Sequence, residues 1–209
     1  AIMLNPRRCA VLALGILSAL AFPVQGAAQA DAQVDRGAYL VRGITACGNC
    51  HTPKSPDGIA IADQELAGGF VIDTPGFRAV ASNITMDRDT GIGAWTDAQI
   101  VEAIRNGKRP DGSTIGPPMP IEFYRSMADS DVRAIVAYLR SIRPIANKVE
   151  KSTYRITLPP SYGPPVTHVP GTPAADTVAY GKYLADIGHC LECHTPMQRG
   201  QLLTDKLGA

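Results

Sequence analysis

One five-residue pattern occurs twice in this chain of 209 residues, and it limits what the chain can fold around. Residues 47–51 are CGNCH and residues 190–194 are CLECH. Cys-x-x-Cys-His is the attachment signature of c-type haem, in which both thiols bond covalently to the porphyrin edge and the histidine ligates the iron. The sequence therefore predicts two covalently attached haems. The six haem-binding residues predicted by the motifs are Cys47, Cys50, His51, Cys190, Cys193 and His194.

Residues 1–30 have the pattern of a secretory signal peptide. Two arginines at positions 7–8 precede an apolar run over residues 9–22, and residues 28–30 (AQA) offer a small-x-small cleavage site. The alternative is an uncleaved membrane anchor, although the apolar run is short for a membrane span. We therefore expect a periplasmic protein. Cleavage would remove Cys9 and leave four cysteines, all of them in the two motifs.

The expected mature chain is nearly neutral. Without residues 1–30 it has 179 residues, with 18 lysines and arginines against 19 aspartates and glutamates. That balance lacks the basic excess of nucleic-acid-binding proteins, and no polybasic run is present that would bind anionic lipids. We therefore expect no nucleic acid among the partners. Aromatic residues make up only 6% of the chain, so a buried porphyrin would supply apolar core that the sequence lacks.

Residues 31–150 have the pattern of one compact helical unit. Thr96 and Gln99 form a capping-box pattern before an apolar face. Apolar residues recur at helical spacing over residues 132–142 and predict a closing helix. Between the first motif and Thr96, residues 52–93 are polar and rich in glycine, without a sustained period. We expect loops there, packed on a cofactor.

A proline-rich segment, residues 151–175, separates this unit from an internal repeat. It predicts either a stiff, extended linker or a strap that lies on the first unit, and the sequence leaves both open. Residues 181–184 (GKYL) then repeat residues 37–40 (GAYL), and the second motif repeats the first. This predicts that residues 176–209 begin a second domain of the same fold. Since only 15 residues follow His194, we expect that domain to be cut short here.

A six-coordinate haem needs a second axial ligand from a distant segment, and a methionine thioether is the common choice in cytochromes c. Met119 is the candidate for the first haem, because the prolines of residues 116–120 (GPPMP) stiffen its loop. The alternative is that Met119 fills a gap in the core. Met127 is the reserve candidate. The predicted iron ligands are His51, Met119 and His194, and no second ligand for the second haem is evident.

The first unit resembles class I cytochromes c, in which an opening helix, Cys-x-x-Cys-His, loops, Met-Pro and a closing helix follow in that order. Residues 81–85 (ASNIT), 90–96 (TGIGAWT) and 116–120 are similar to cytochrome c subunits of bacterial membrane-associated dehydrogenases. Those subunits include partners of quinoprotein alcohol dehydrogenases and of molybdenum hydroxylases. The resemblance implies an all-α fold, iron ligation by Met119, and a crossing of the opening and closing helices near Gly37.

The same resemblance implies that the chain is an electron-transfer protein and not itself an enzyme. A dehydrogenase subunit would donate electrons, and a quinone, another cytochrome or a terminal oxidase would accept them. Partner subunits would hold the chain at the inner membrane. The alternative is a haem enzyme, such as a dihaem peroxidase or a thiosulfate-oxidising cytochrome, which needs an open iron position and an acid or base beside it. Structural zinc on the two Cys-Cys-His groups is a third possibility, which the export signal disfavours.

Overall fold

The computed structural model describes residues 24–198, 201–203 and 206. Residues 1–23 of the expected signal peptide lie outside the described residues. Helix α1 (Val24–Tyr39) includes the expected cleavage site at residues 28–30 and continues into a π-helical turn (Leu40–Ile44). None of the helices in the described ranges is long and apolar enough to cross a lipid bilayer.

Short helices and two long ones form the frame of the first unit. After α1 come α2 (Gly48–His51), α3 (Asp97–Asn106), α4 (Ile121–Tyr124) and α5 (Asp129–Ser141), with a 3-10 turn at Ala62–Gln64. Helix α3 begins with the capping box that the sequence predicts, since the side chains of Thr96 and Gln99 each accept a hydrogen bond from the other's backbone N–H. Helix α5 packs its apolar face into the core through Val132, Ile135, Val136 and Leu139.

The opening and closing helices cross at a glycine, as the family resemblance implies. A Cβ atom at Gly37 would overlap the carbonyl oxygen of Ala134 and lie 2.6 Å from Cβ of Tyr138. Only glycine lets the backbones of α1 and α5 approach this closely. A second contact lies one residue earlier, where the Arg36 guanidinium binds both carboxylate oxygens of Asp131 at 2.9 and 2.7 Å. The crossing therefore combines a close backbone approach with a bidentate ion pair.

The structure is mainly helical but also contains a small antiparallel sheet, which corrects the all-α expectation. Strands β1 (Val71–Asp73) and β2 (Phe77–Val80) lie in the segment for which we expected only loops. Strand β3 (Thr153–Tyr154) joins β2 from the proline-rich segment. Strands of two to four residues are too short to show alternating hydrophobicity, and β3 is distant in sequence from its partner. Periodicity therefore could not reveal this sheet.

The proline-rich segment lies along the surface of the first unit. Beyond β3, the Tyr162 hydroxyl donates to the carbonyl of Ile115 at 2.7 Å, and the backbone N–H of Val166 donates to the Asn106 side chain at 2.9 Å. Further on, the backbone N–H of Asp129 donates to the carbonyl of Val169 at 3.0 Å. These contacts extend over most of residues 151–175. The boundaries at residues 150 and 176 stay predictions.

The repeated segment forms two helices that pack on the first unit. Helix α6 (Thr177–Ile187) precedes α7 (Cys190–Cys193), and two short antiparallel strands, β4 (Met197–Gln198) and β5 (Gln201–Leu202), follow. The Tyr183 hydroxyl donates to a carboxylate oxygen of Asp131 at 2.7 Å and accepts from the backbone N–H of Ala128 at 3.1 Å. Ile187 is completely buried. Helix α6 is thus tied to the same carboxylate as α1.

The repeat supplies a matched test of the helix crossing, because Gly37 and Gly181 occupy corresponding positions in the two units. Gly37→Ala places a methyl group against the backbone of α5 and should lower the free energy of unfolding by about 2 kcal/mol. Gly181→Ala meets open space inside a helix and should raise it by up to about 1 kcal/mol. Urea unfolding of both variants measures the difference. Equal effects would contradict the close approach at Gly37.

Candidate functional site

The first Cys-x-x-Cys-His motif forms a tight turn at the end of the opening helix. Ala46 has a positive φ of 45°, which redirects the chain after the π-helical turn. The backbone N–H of Cys47 donates to the carbonyl of Val41 at 2.9 Å, and that of His51 donates to the carbonyl of Cys47 at 2.8 Å. One helical turn therefore carries Cys47, Cys50 and His51. The Thr45 hydroxyl lies 3.3 Å from the Cys47 sulfur.

The imidazole of His51 is oriented for metal ligation through one nitrogen. Its Nδ1 lies 2.7 Å from the carbonyl oxygen of Ser82. A carbonyl only accepts, so Nδ1 carries the proton and Nε2 keeps a free lone pair. Histidines that ligate metals commonly donate their other N–H in this way. Burial lowers the pKa of His51, partly offset by this hydrogen bond, and a lowered pKa favours the neutral form that a metal requires.

The thiols of the motif are held in their protonated form by their surroundings. Burial raises the pKa of Cys47 most, although the Thr45 hydroxyl opposes the shift. Burial also raises the pKa of Cys50. A raised pKa disfavours the free thiolate. Among the described residues, no three His, Cys, Asp or Glu side chains converge around a point that could hold a metal ion, whereas structural zinc needs four such ligands.

A cavity of about 340 Å³ lies beside the motif and is lined mainly by apolar side chains. This size falls within the range of small-molecule and cofactor sites. The wall includes the β1–β2 sheet and apolar residues of α3 and α5, so the elements that sequence periodicity missed form part of the site. Apolar residues of the wall include Ile72, Ala79, Val80, Trp95, Ile100, Ile104, Ile135 and Leu139.

The structure brings four of the predicted site residues to this one cavity. Cys47, Cys50 and His51 line it, and so does Met119 from a distant loop. The Met119 loop is anchored on both sides: the Tyr154 hydroxyl donates to the carbonyl of Pro117 at 3.1 Å, and the backbone N–H of Ile121 donates to the carbonyl of Met119 at 2.9 Å. Two thiols, an imidazole and a thioether therefore line one apolar cavity. Together these four groups are the donor set that a c-type haem needs.

The reserve candidate, Met127, also lines the cavity but has a different environment. It is completely buried within the hydrophobic core, whereas Met119 is only partly buried. The backbone carbonyl of Met127 accepts a hydrogen bond from the buried guanidinium of Arg105 at 2.7 Å. Met127 is thus packed as a core residue, while Met119 lies on an anchored loop at the wall.

The second motif forms a separate cluster with the same local geometry as the first. Cys190, Cys193 and His194 are exposed and do not line the first cavity. The backbone N–H of His194 donates to the carbonyl of Cys190 at 3.0 Å, as His51 does to Cys47. His189, which precedes the motif, has the same positive φ of 45° as Ala46. The internal repeat in the sequence is therefore also a repeat of backbone conformation.

Several residues of the cavity wall were not predicted from the sequence. Arg109 lines the cavity, as do Tyr124 and two residues of the second motif region, His189 and Glu192. Burial raises the pKa of Tyr124 well above its usual range. No sequence signal marks these positions, since each depends on how distant segments pack. Glu122, the carboxylate nearest to Met119 in the sequence, is exposed and is not among the lining residues.

No protein-family model matches the chain, but characterised relatives do. It is 35% identical over 197 residues, 88% of its length, to the cytochrome c subunit of alcohol dehydrogenase (quinone) from Gluconobacter oxydans. It is 34% identical over 201 residues, 89% of its length, to the cytochrome c subunit of gluconate 2-dehydrogenase from Pantoea cypripedii. A diheme cytochrome c-type protein of Cereibacter sphaeroides is 34% identical over 170 residues, 77% of this chain and 56% of that protein.

The chain is homologous to cytochrome c subunits of dehydrogenases. This confirms the resemblance predicted from the segments around Asn83, Trp95 and Met119. The homology also implies haem c as the cofactor, in agreement with the donor set of the cavity. The chain spans about two fifths of the length of the alcohol and gluconate dehydrogenase subunits, 39% and 43% respectively.

Asn83 holds the loop whose carbonyl orients His51, and its replacement tests that role. Asn83 is 2% exposed; its amide donates to the carbonyl of Ile145 at 2.8 Å and its oxygen accepts from the backbone N–H of Thr85 at 2.9 Å. Asn83→Ala leaves the buried N–H of Thr85 without its partner and removes one of the two donors to the Ile145 carbonyl, and it should lower the free energy of unfolding by about 1–3 kcal/mol. Urea unfolding measures the loss. Unchanged stability would show that this loop does not depend on Asn83.

Proposed function

We propose that this protein carries electrons in the periplasm, passing them from a dehydrogenase to the respiratory chain. A dehydrogenase subunit is the electron donor, and a quinone, another cytochrome or a terminal oxidase is the acceptor. Partner subunits hold the chain at the inner membrane. The proposal is supported by relatives that are cytochrome c subunits of alcohol and gluconate dehydrogenases and by a cavity with the donor set of a c-type haem.

The repeat of motif and backbone supports a proposal of two haems and two units. In this proposal residues 31–150 form a class I cytochrome c domain, residues 151–175 connect it to the next unit, and residues 176–209 open a second domain of the same fold. Cys47 and Cys50 would bond to the first haem, and His51 and Met119 would ligate its iron. Cys190 and Cys193 would bond to the second haem, and His194 would ligate its iron. Each haem, when bound, supplies an iron that takes up and releases one electron.

The convergence of Met119 and the first motif on one apolar cavity carries this proposal. The apolar wall excludes water, which limits the change in solvation when the charge at the site changes. His51 is held at a fixed angle by Ser82, and the soft thioether of Met119 favours the reduced metal and a higher potential. Arg109 places a positive charge at the wall. These residues bind and orient a redox group without supplying an acid or base to a substrate.

The alternative, a haem enzyme, is not favoured by the relatives, which are cytochrome subunits of dehydrogenase complexes. Such an enzyme also needs a vacant position at the iron and a proton-transfer group beside it. In the proposed site His51 and Met119, which line the same cavity, would both ligate the iron and leave no vacant position. Rapid binding of cyanide or peroxide at the first haem of the unaltered protein would support the enzyme instead.

A haem count on the exported protein tests the proposal. A pyridine haemochrome assay should find two covalently bound haems per chain in the unaltered protein. The paired variants Cys47→Ser with Cys50→Ser, and Cys190→Ser with Cys193→Ser, should each carry one, because each removes the thiols of one motif. Colourless protein from a strain that attaches haem to other cytochromes would overturn the proposal.

Two methionines at the cavity give a matched test of the axial ligand. Met119→Ala should free one axial position, so that carbon monoxide binds the reduced first haem rapidly and the reduction potential falls. Met127→Ala removes a buried core side chain and should lower the free energy of unfolding by about 2–5 kcal/mol without opening the iron. Stopped-flow spectroscopy of both variants measures carbon monoxide binding. Rapid binding in Met127→Ala and not in Met119→Ala would reverse the assignment.

A further inference from the structure

Residues of the second haem-attachment segment line the cavity of the first. His189 and Glu192 both contribute to its wall, although they flank and belong to the second motif, more than 130 residues from His51 in the sequence. The ring of His189 packs at 6.2 Å from the Tyr124 ring, nearly edge-on, and at 6.3 Å from the Phe123 ring. The second motif is therefore in contact with the first site.

Helix α6, which precedes the second motif, is anchored to the first unit and so holds this contact in place. Tyr183 of α6 shares the buried carboxylate of Asp131 with Arg36, so one charged group ties together α1, α5 and α6. At the end of α6, a Cβ atom on Gly188 would lie 3.2 Å from the carbonyl oxygen of Ile44, just before the first motif. The backbone of the second unit thus packs tightly against the residues just before the first motif.

Glu192 places a negative charge at this wall. Its carboxylate lies 3.2 Å from Nδ1 of His189. Glu192 lines the cavity together with Cys50 and Tyr124, so its charge lies on the wall of the first site. A negative charge beside a redox group disfavours the addition of an electron to that group.

We propose that the second Cys-x-x-Cys-His segment forms part of the wall of the first haem site, and that the Glu192 carboxylate lowers the reduction potential of the first haem. This inference rests on the proposed function, since it assumes a haem on Cys47 and Cys50. Glu192, which lies between Cys190 and Cys193 in the second motif, thereby also adjusts the reduction potential of the first haem.

A variant with only the first haem isolates the effect. Cys190→Ser with Cys193→Ser removes the second attachment point, while Tyr183 and Ile187 continue to hold the segment in place because both cysteines are exposed. In this background Glu192→Gln keeps the side-chain shape and removes the charge. Spectroelectrochemical titration at low ionic strength should show a shift of the first haem to more positive potential. The shift should shrink at high salt, because Glu192 is exposed.

Asp186→Asn in the same background is the matched control. Asp186 lies on α6, pairs with Lys182 at 2.6 Å and does not line the cavity. It should shift the potential of the first haem less than Glu192→Gln does. Equal shifts, or no shift in either variant, would overturn the wall assignment. If the background variant carries no haem at all, the proposed function fails instead, and the haem count made before the titration separates these two results.

Discussion

The close crossing of α1 and α5 at Gly37 is the constraint on which the rest of the structure depends. Because the backbones touch there, the end of the opening helix is brought against the core, and the first Cys-x-x-Cys-His turn follows within ten residues of the crossing. The Arg36–Asp131 ion pair strengthens the same contact and extends it to Tyr183 of α6. One crossing thus positions both the first motif and the segment that carries the second.

The binding cavity is enclosed by short helices together with the small sheet. Helices α3 and α5 supply apolar side chains from one side, and the β1–β2 sheet supplies them from another. Strand β3 and the Tyr154 hydroxyl then attach the proline-rich segment to this sheet and to the Met119 loop. The segments that carry His51, Ser82 and Met119 are therefore also held by hydrogen bonds to neighbouring segments.

The residues that meet at the first cavity could be picked out from the sequence because their patterns are local. The motif at residues 47–51 and the Met-Pro loop were found from residue order alone, and so were the capping box of α3 and the apolar face of α5. What the sequence did not predict depends on long-range packing. Strands β1 to β3 are too short for a period, and Glu192 reaches the first cavity only because α6 docks on Asp131.

The coordination of the first iron tests the central claim most directly. X-ray absorption spectroscopy of iron, on the protein with Cys190 and Cys193 replaced by serine, observes the first haem alone. The claim that His51 and Met119 meet on one metal predicts a six-coordinate iron with five nitrogen neighbours and one sulfur neighbour. A spectrum with six nitrogen neighbours, or a five-coordinate iron, would contradict it.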